Sequence, residues 1–159
     1  MRISPLDPHE APRLVPLLQD LHALHVAHQP ARYPADPAPD ALTLWLQEWL
    51  SQPQTVALVA LSPQNAVMGY LIYEVEDRTA LPVRAAERRA MVHHIAVAKP
   101  FRRIGVGKAL MAEMKRRALA DGATVIGVTY APFNTASAGL IQSMGLKPVT
   151  TVAEWRLEG

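Results

Sequence analysis

The run Arg102-Arg103-Ile104-Gly105-Val106-Gly107-Lys108 gathers cations and glycines where an apolar segment, Ile95-Ala96-Val97, gives way to an amphipathic one. That order of residue types suits a phosphate group. A strand feeding a helix leaves the first helical N–H groups without intrahelical acceptors, and an anion can take them. The helix dipole adds partial positive charge at the same end. Gly105 and Gly107 let a bulky diphosphate approach the backbone and permit positive φ, and Arg102, Arg103 and Lys108 add full charges. A glycine-containing turn with solvated arginines is the plainer alternative. A dinucleotide fingerprint needs glycine where Leu110 stands, and a P-loop needs glycine at Arg102 and Ser or Thr at Ala109, so both fit less well.

The elements that must position this loop are readable from periodicity. Ala90 to Val97 reads as a strand with Met91, His93, Ile95 and Val97 on one face and Val92, His94 and Ala96 on the other. Val106, Leu110, Met114 and Ala118 form a helical stripe that Asp121-Gly122 stops. Thr124 to Tyr130 reads as a buried strand, parallel to the preceding one because a helix joins them. A helix over Ala136 to Met144 and a final strand over Pro148 to Leu157 complete the chain.

Upstream, Arg2 to Leu6 suits a first strand, and Asp7-Pro8 a helix start. Pro12 and Pro16 disturb that helix, whose face carries Leu14, Leu17, Leu18, Leu21 and His25. A loop with four prolines spans Gln29 to Asp40 and carries Tyr33, the one aromatic there able to line a pocket. From Asp40 a second helix aligns Leu42, Trp45, Leu46, Trp49 and Leu50, and its tryptophans are placed in the core. Thr55 to Leu61 and Met68 to Glu76 form a hairpin around Ser62-Pro63-Gln64-Asn65, with Gly69 marking a bulge. Asp77 to Arg89 reads as a solvated basic loop.

His22, His25 and His28 stand three apart, which spreads their rings too widely around a helix for a tetrahedral metal site; a solvated or substrate-facing helix end is the expectation, with no metal. The composition narrows the classes further. A chain of 159 residues, half of them hydrophobic, is expected to form one domain over 1–159. No apolar stretch is long enough to span a bilayer, and Met1-Arg2-Ile3-Ser4 lacks a signal core. Zero cysteines exclude disulfides, thiolate metal sites and a cysteine nucleophile, and fit a cytoplasmic protein. A formal net charge of +2 gives no argument for nucleic acid.

At the phosphate loop the sequence resembles a family. Arg102-Arg103-Ile104-Gly105-Val106-Gly107, preceded by Val97 and Pro100, is similar to the Gln/Arg-x-x-Gly-x-Gly/Ala acyl-CoA loop of the GNAT superfamily of N-acetyltransferases. Asn134, ahead of a helix ending in Met144-Gly145-Leu146, resembles that family's Asn-x-x-Ala-x-x-x-Tyr…Gly-Phe signature. The resemblance is strong from residue 90 to 148 and weak before 55. It implies an α/β fold: a central mixed, twisted sheet of six to seven strands, helices on both faces, and acetyl-CoA in a cleft between two diverging strands. It assigns the cosubstrate to Ile95, Ala96, Val97, Arg102, Arg103, Ile104, Gly105, Val106, Gly107, Lys108, Asn134 and Ser137. The N–H of Ile95 becomes the oxyanion donor, and the loop carrying Tyr33 shapes the acceptor site.

The activity so implied is transfer of an acetyl group from acetyl-CoA to a primary amine by direct attack, the acceptor being a small molecule or peptide. His93 is the expected base, since imidazole is the side chain suited to take a proton from an ammonium near neutrality. The pattern breaks at the acid: Ile141 stands where the family places tyrosine and cannot donate a proton. Tyr130 is the expected substitute, with water or unassisted thiolate departure as alternatives. Ile141 also motivates a competing class, an acyl-CoA-binding regulatory domain with little or no catalysis. An exposed strand edge at 148–157, with Trp155, suggests a homodimer.

Overall fold

A computed structural model describes residues 1–157. One sheet runs in the order β1 (Arg2–Pro5), β2 (Thr55–Leu61), β3 (Val67–Arg78), β4 (Glu87–Val97), β5 (Val125–Val128). Neighbours are antiparallel except β4 and β5, which are parallel as the intervening helix requires. The helices are α1 (Val15–His28), α2 (Pro39–Leu50), α3 (Val106–Ala120) and α4 (Thr135–Ser143). They cover both faces. On one face α1 and α2 bury Leu17, Leu18, Leu46 and Leu50 against Tyr70 and Ile72. On the other, α3 buries Val106, Leu110 and Met114 against Leu58, Leu71 and Val92, with Leu140 of α4 alongside. No helix among the described residues is long and apolar enough to cross a membrane.

Local chemistry accounts for most boundaries. Asp7 caps a 3₁₀ segment over Pro8–Leu14 by accepting from the His9 N–H, and α1 begins only at Val15, where Pro16 falls in the first turn and breaks no helical bond. The β2–β3 hairpin has its bulge beside Gly69, where Ala60 pairs with Gly69 and Leu61 with Val67, leaving Met68 unpaired. A Cβ at Gly69 would lie 2.8 Å from the Ala96 carbonyl oxygen and 3.2 Å from Val106. The glycine therefore lets the start of α3 sit directly on the sheet.

Several expectations are corrected. The sheet has five strands, not six or seven, because residues 148–157 form no strand. Val149, Ala153, Trp155 and Leu157 do share an alternating face, but the segment pairs with no strand of the sheet, and Pro148 removes a donor at its start. Trp155 is 93% exposed, and the strand edge expected there is absent; β5 is a half-buried edge rather than a buried strand. The basic loop expected at 77–89 is shorter: only residues 79–86 lie between strands, and its two ends belong to β3 and β4. Asp77 pairs with Arg88 and Glu76 with Arg89 across β3 and β4, and Arg88 also bridges to Asp121. Charge on both faces hid these strands from a hydrophobic reading. Finally, α2 buries Leu46 and Leu50 but leaves Trp45 46% exposed.

Candidate active site

The centre of the site is a fork in the sheet. β4 and β5 pair from Arg89–Val125 to Val92–Val128, and the Thr129 N–H makes a last, longer bond to the Val92 carbonyl at 3.3 Å. β4 continues to Val97 with that side open. The fork begins at a second bulge. On β3, Ile72 pairs with His94 and Tyr73 with Val92, so His93 has no partner.

This single extra residue changes what each side chain and each peptide faces. Met91, His93, Ile95 and Val97 were expected on one face. Instead Ile95 and Val97 pack with Ala90 and Val92 toward α3, while Ala96 packs toward α1 and α2 and the His94 ring meets Trp45 and Trp49. The peptide alternation shifts likewise. Val92 turns its carbonyl to β5, Ala98 donates to Met68 on β3, and the Val97 carbonyl accepts from Arg102 Nε at 3.1 Å. Ile95, two residues before Val97, therefore presents its N–H and C=O to the opening.

Next to the opening lies the loop. Arg103 has φ 64° and Gly105 φ 89°, two left-handed residues that turn the chain sharply into α3. α3 starts without a side-chain cap, and its first intrahelical bond runs from the Ala109 N–H to the Gly105 carbonyl. The N–H groups of Val106, Gly107 and Lys108 are thus left for an external acceptor. The Val106 side chain is buried in the core, so only its backbone is on offer; Arg102, Arg103, Ile104 and Lys108 are exposed around the turn. Gly107 serves a different end from the one expected. A Cβ there would lie 3.0 Å from Leu140 of α4, so the glycine admits the neighbouring helix, whereas Gly105 faces open space. Asn134 caps α4, its Oδ1 accepting from the Ser137 N–H at 3.2 Å, and is buried. Ile141 is buried, and Tyr130, 39% exposed, follows the last β4–β5 contact by one residue. These features fit acetyl-CoA: a run of unsatisfied amides ringed by cations for a diphosphate, opening onto a free strand edge for an amide-bearing arm.

On the other face of the fork, His93 has its side chain 37% exposed, with Nε2 3.8 Å from Glu74 Oε1. The same oxygen accepts from Trp49 Nε1 at 2.6 Å. Behind it, burial pushes the His94 imidazole down to about 4, so the ring is neutral; its Nδ1 is sealed from solvent without a partner among the described residues, as is the Tyr70 hydroxyl. The α1 histidines gather the neighbouring loops rather than one another. His22 bonds the Pro34 carbonyl, His25 stacks edgewise on Tyr33 and Phe133, and His28 lies flat on Phe133 at 4.4 Å. Tyr33 and the β5–α4 loop are thereby drawn together over α1. Glu74, Trp45, Trp49 and Phe133 carried no local motif; the i, i+4 spacing of the two tryptophans was the only signal available.

The comparisons agree with this geometry. The model of the acetyltransferase (GNAT) family matches residues 18–146, most of the chain, and the protein belongs to that family of acetyl-CoA-dependent acyltransferases. Its fold is shared with solved structures of low identity. A tetramutant of the BH1408 protein from Bacillus halodurans superposes with TM-score 0.91 at 16% identity, covering 99% of this chain and 100% of that one. The aminoglycoside N-acetyltransferase AAC(6')-Iy in complex with CoA gives 0.75 at 19%, covering 99% and 95%. Ribosomal-protein-alanine N-acetyltransferase from Brucella melitensis biovar Abortus 2308 gives 0.75 at 18%, covering 99% and 100%. No curated protein matches the chain.

Proposed function

We propose that the chain acetylates a primary amine by direct attack at the β4–β5 fork. The observation that carries this reading is the fork itself: a bulged strand turning its peptide edge to an opening flanked by the uncapped start of α3. Nitrogen as the acceptor atom is supported by the neighbours, which are N-acetyltransferases by name. Small molecules and peptides both remain within the class, and the cysteine-free composition supports a cytoplasmic setting.

Acetyl-CoA supplies an acyl carbon already activated as a thioester. The amides of Val106, Gly107 and Lys108, with Arg102 and Arg103, hold its diphosphate, and Ile95 to Val97 offer the strand edge for the arm. The Ile95 N–H donates to the acyl oxygen as negative charge grows there, a role worth about 3–4 kcal/mol for a preorganised donor. His93 takes the ammonium proton, directly or through one water. The new N–C bond forms as the C–S bond breaks, and sulfur leaves with the electron pair. Of the two protons the ammonium sheds, one goes to solvent through His93; the sulfur regains one from Tyr130 or from water.

The test is thiol release from acetyl-CoA over an amine library, with the product mass confirming N-acetylation. Amine-dependent release well above buffer hydrolysis is expected. A second reading, an acyl-CoA-binding regulatory domain, draws on buried Ile141 at the usual acid position. Tight acetyl-CoA binding with no amine-dependent release would replace the first reading by the second.

A further inference from the structure

The acceptor face of the fork has an unusual charge pattern. Along the β3–β4 hairpin the other acids are paired with arginines: Glu76 with Arg78 and Arg89, Asp77 with Arg88, Glu87 with Arg89. Glu74 is different. Among the described residues its carboxylate meets only the Trp49 N–H and, at 3.8 Å, the His93 ring. It stands beside the unpaired residue of the bulge, where β4 parts from β5. From there an aromatic surface runs outward. Trp49 contacts the His93 ring at 6.0 Å, and Trp45 leans on Trp49 at 5.3 Å and 34° while nearly half exposed. An open depression of about 320 Å³, lined by Trp45, Glu48, Trp49 and Gln52, continues this surface to solvent.

We propose that the acceptor is an arylalkylamine, a single ammonium joined by a short chain to an aromatic ring. Its ammonium docks on Glu74 beside His93, and its ring rests on Trp45 and Trp49. A carboxylate without a cationic partner attracts one ammonium, and indole faces attract both the cation and a flat apolar ring. The ion pair with Glu74 also brings the amine to the imidazole that takes its proton. Polycationic acceptors fit poorly, because the surface beyond Glu74 is aromatic and Glu48 adds only one rim carboxylate. The fate of the bound amine rests on the acetyl-transfer reading; its binding does not.

The experiment therefore has two arms, both with the full chain and saturating acetyl-CoA or CoA. Calorimetric binding to the CoA complex compares 2-phenylethylamine and tryptamine with 2-cyclohexylethylamine, spermidine and kanamycin. Thiol release is measured for the same amines. The aromatic amines are expected to bind about tenfold or more tightly than the saturated analogue and the polycations, and to have the highest kcat/KM. Trp45→Ala, on an exposed side chain, should erase about tenfold of that preference, and Trp45→Phe should restore much of it. Glu74→Gln should weaken every monoamine and raise KM more than it lowers kcat. Binding without thiol release would uphold the acceptor class and defeat acetyl transfer. Equal binding of 2-cyclohexylethylamine, preference for kanamycin or spermidine, or no binding of any aromatic amine would overturn the proposal.

Discussion

The two faces of β4 at the fork are built by different rules. The α3 face, where acetyl-CoA is proposed to bind, is made of consecutive residues: Arg102 to Lys108 form one turn whose backbone N–H groups are its main offer. The α2 face, where the acceptor is proposed to bind, is made of side chains from three distant segments, Trp45 and Trp49 on α2, Glu74 on β3 and His93 on β4. A site of backbone amides needs only a local conformation, so short sequence patterns encode it. A site of side chains needs the fold to bring it together, and it is free to vary with the substrate.

Substitutions should separate the faces. The largest effect is expected from His93→Ala, which should lower kcat/KM by about 10²–10⁴ while leaving acetyl-CoA affinity unchanged in equilibrium binding. A loss under threefold would move the proton transfer to water or to the free amine. Tyr130→Phe should reduce kcat about tenfold at constant acetyl-CoA affinity if the hydroxyl assists the departing sulfur. An unchanged kcat would leave that task to solvent, and Ile141→Tyr then becomes the informative variant, although its site is buried.

On the α3 face, Arg102→Ala removes both a charge near the amides and the bond to the Val97 carbonyl. It should weaken acetyl-CoA about tenfold, with a smaller deficit at high salt, where charge contributes less. Its effect on amine KM should be slight; comparable damage to both ligands would mean that the faces are not independent. Gly107 is a poor probe of the same site, because a side chain there strikes Leu140 and disturbs α4 whether or not cosubstrate binds.

The smallest effect at neutral pH, and a distinctive one on acidification, comes from His94. Folding lowers its ring to about 4, whereas an unfolded histidine titrates near 6.5. Above about 6.5 both states are neutral and stability is level. As pH falls from there to about 4, the unfolded chain binds a proton that the folded chain refuses, and stability drops by up to about 1.4 kcal/mol per unit. Urea unfolding across this window should show the slope, and His94→Phe should flatten it. Activity at neutral pH should change little beyond the repacking of Trp45 and Trp49. A slope that persists in the variant would assign it to another group.

Much of this was legible beforehand. The β2 strand matched its reading from Thr55 to Leu61, α3 carried its stripe from Val106, and Asp121-Gly122 ended it, because each depends on neighbours in sequence. Asn134 likewise sits at a helix start whose orphan N–H groups its side chain serves. The glycine turn before α3 and the family pattern were legible for the same reason. Other features were not. The charged ends of β3 and β4 read as a loop, since their pairing is an exchange of Asp77 with Arg88 and Glu76 with Arg89 across the sheet. The segment after Pro148 has strand-forming residues and no strand beside it.

The deepest limit is the bulge at His93. Periodicity assigns faces by counting residues, and one unpaired residue reverses every later assignment. The sequence by itself determined most of the elements, the glycine turn into α3 and the family, because these rest on local backbone chemistry. Only the tertiary structure decided which groups of β4 face the opening, and that Glu74, Trp49 and Trp45 stand beside His93. Pairing register and contacts between distant segments are set by how the layers pack, and no local pattern records them.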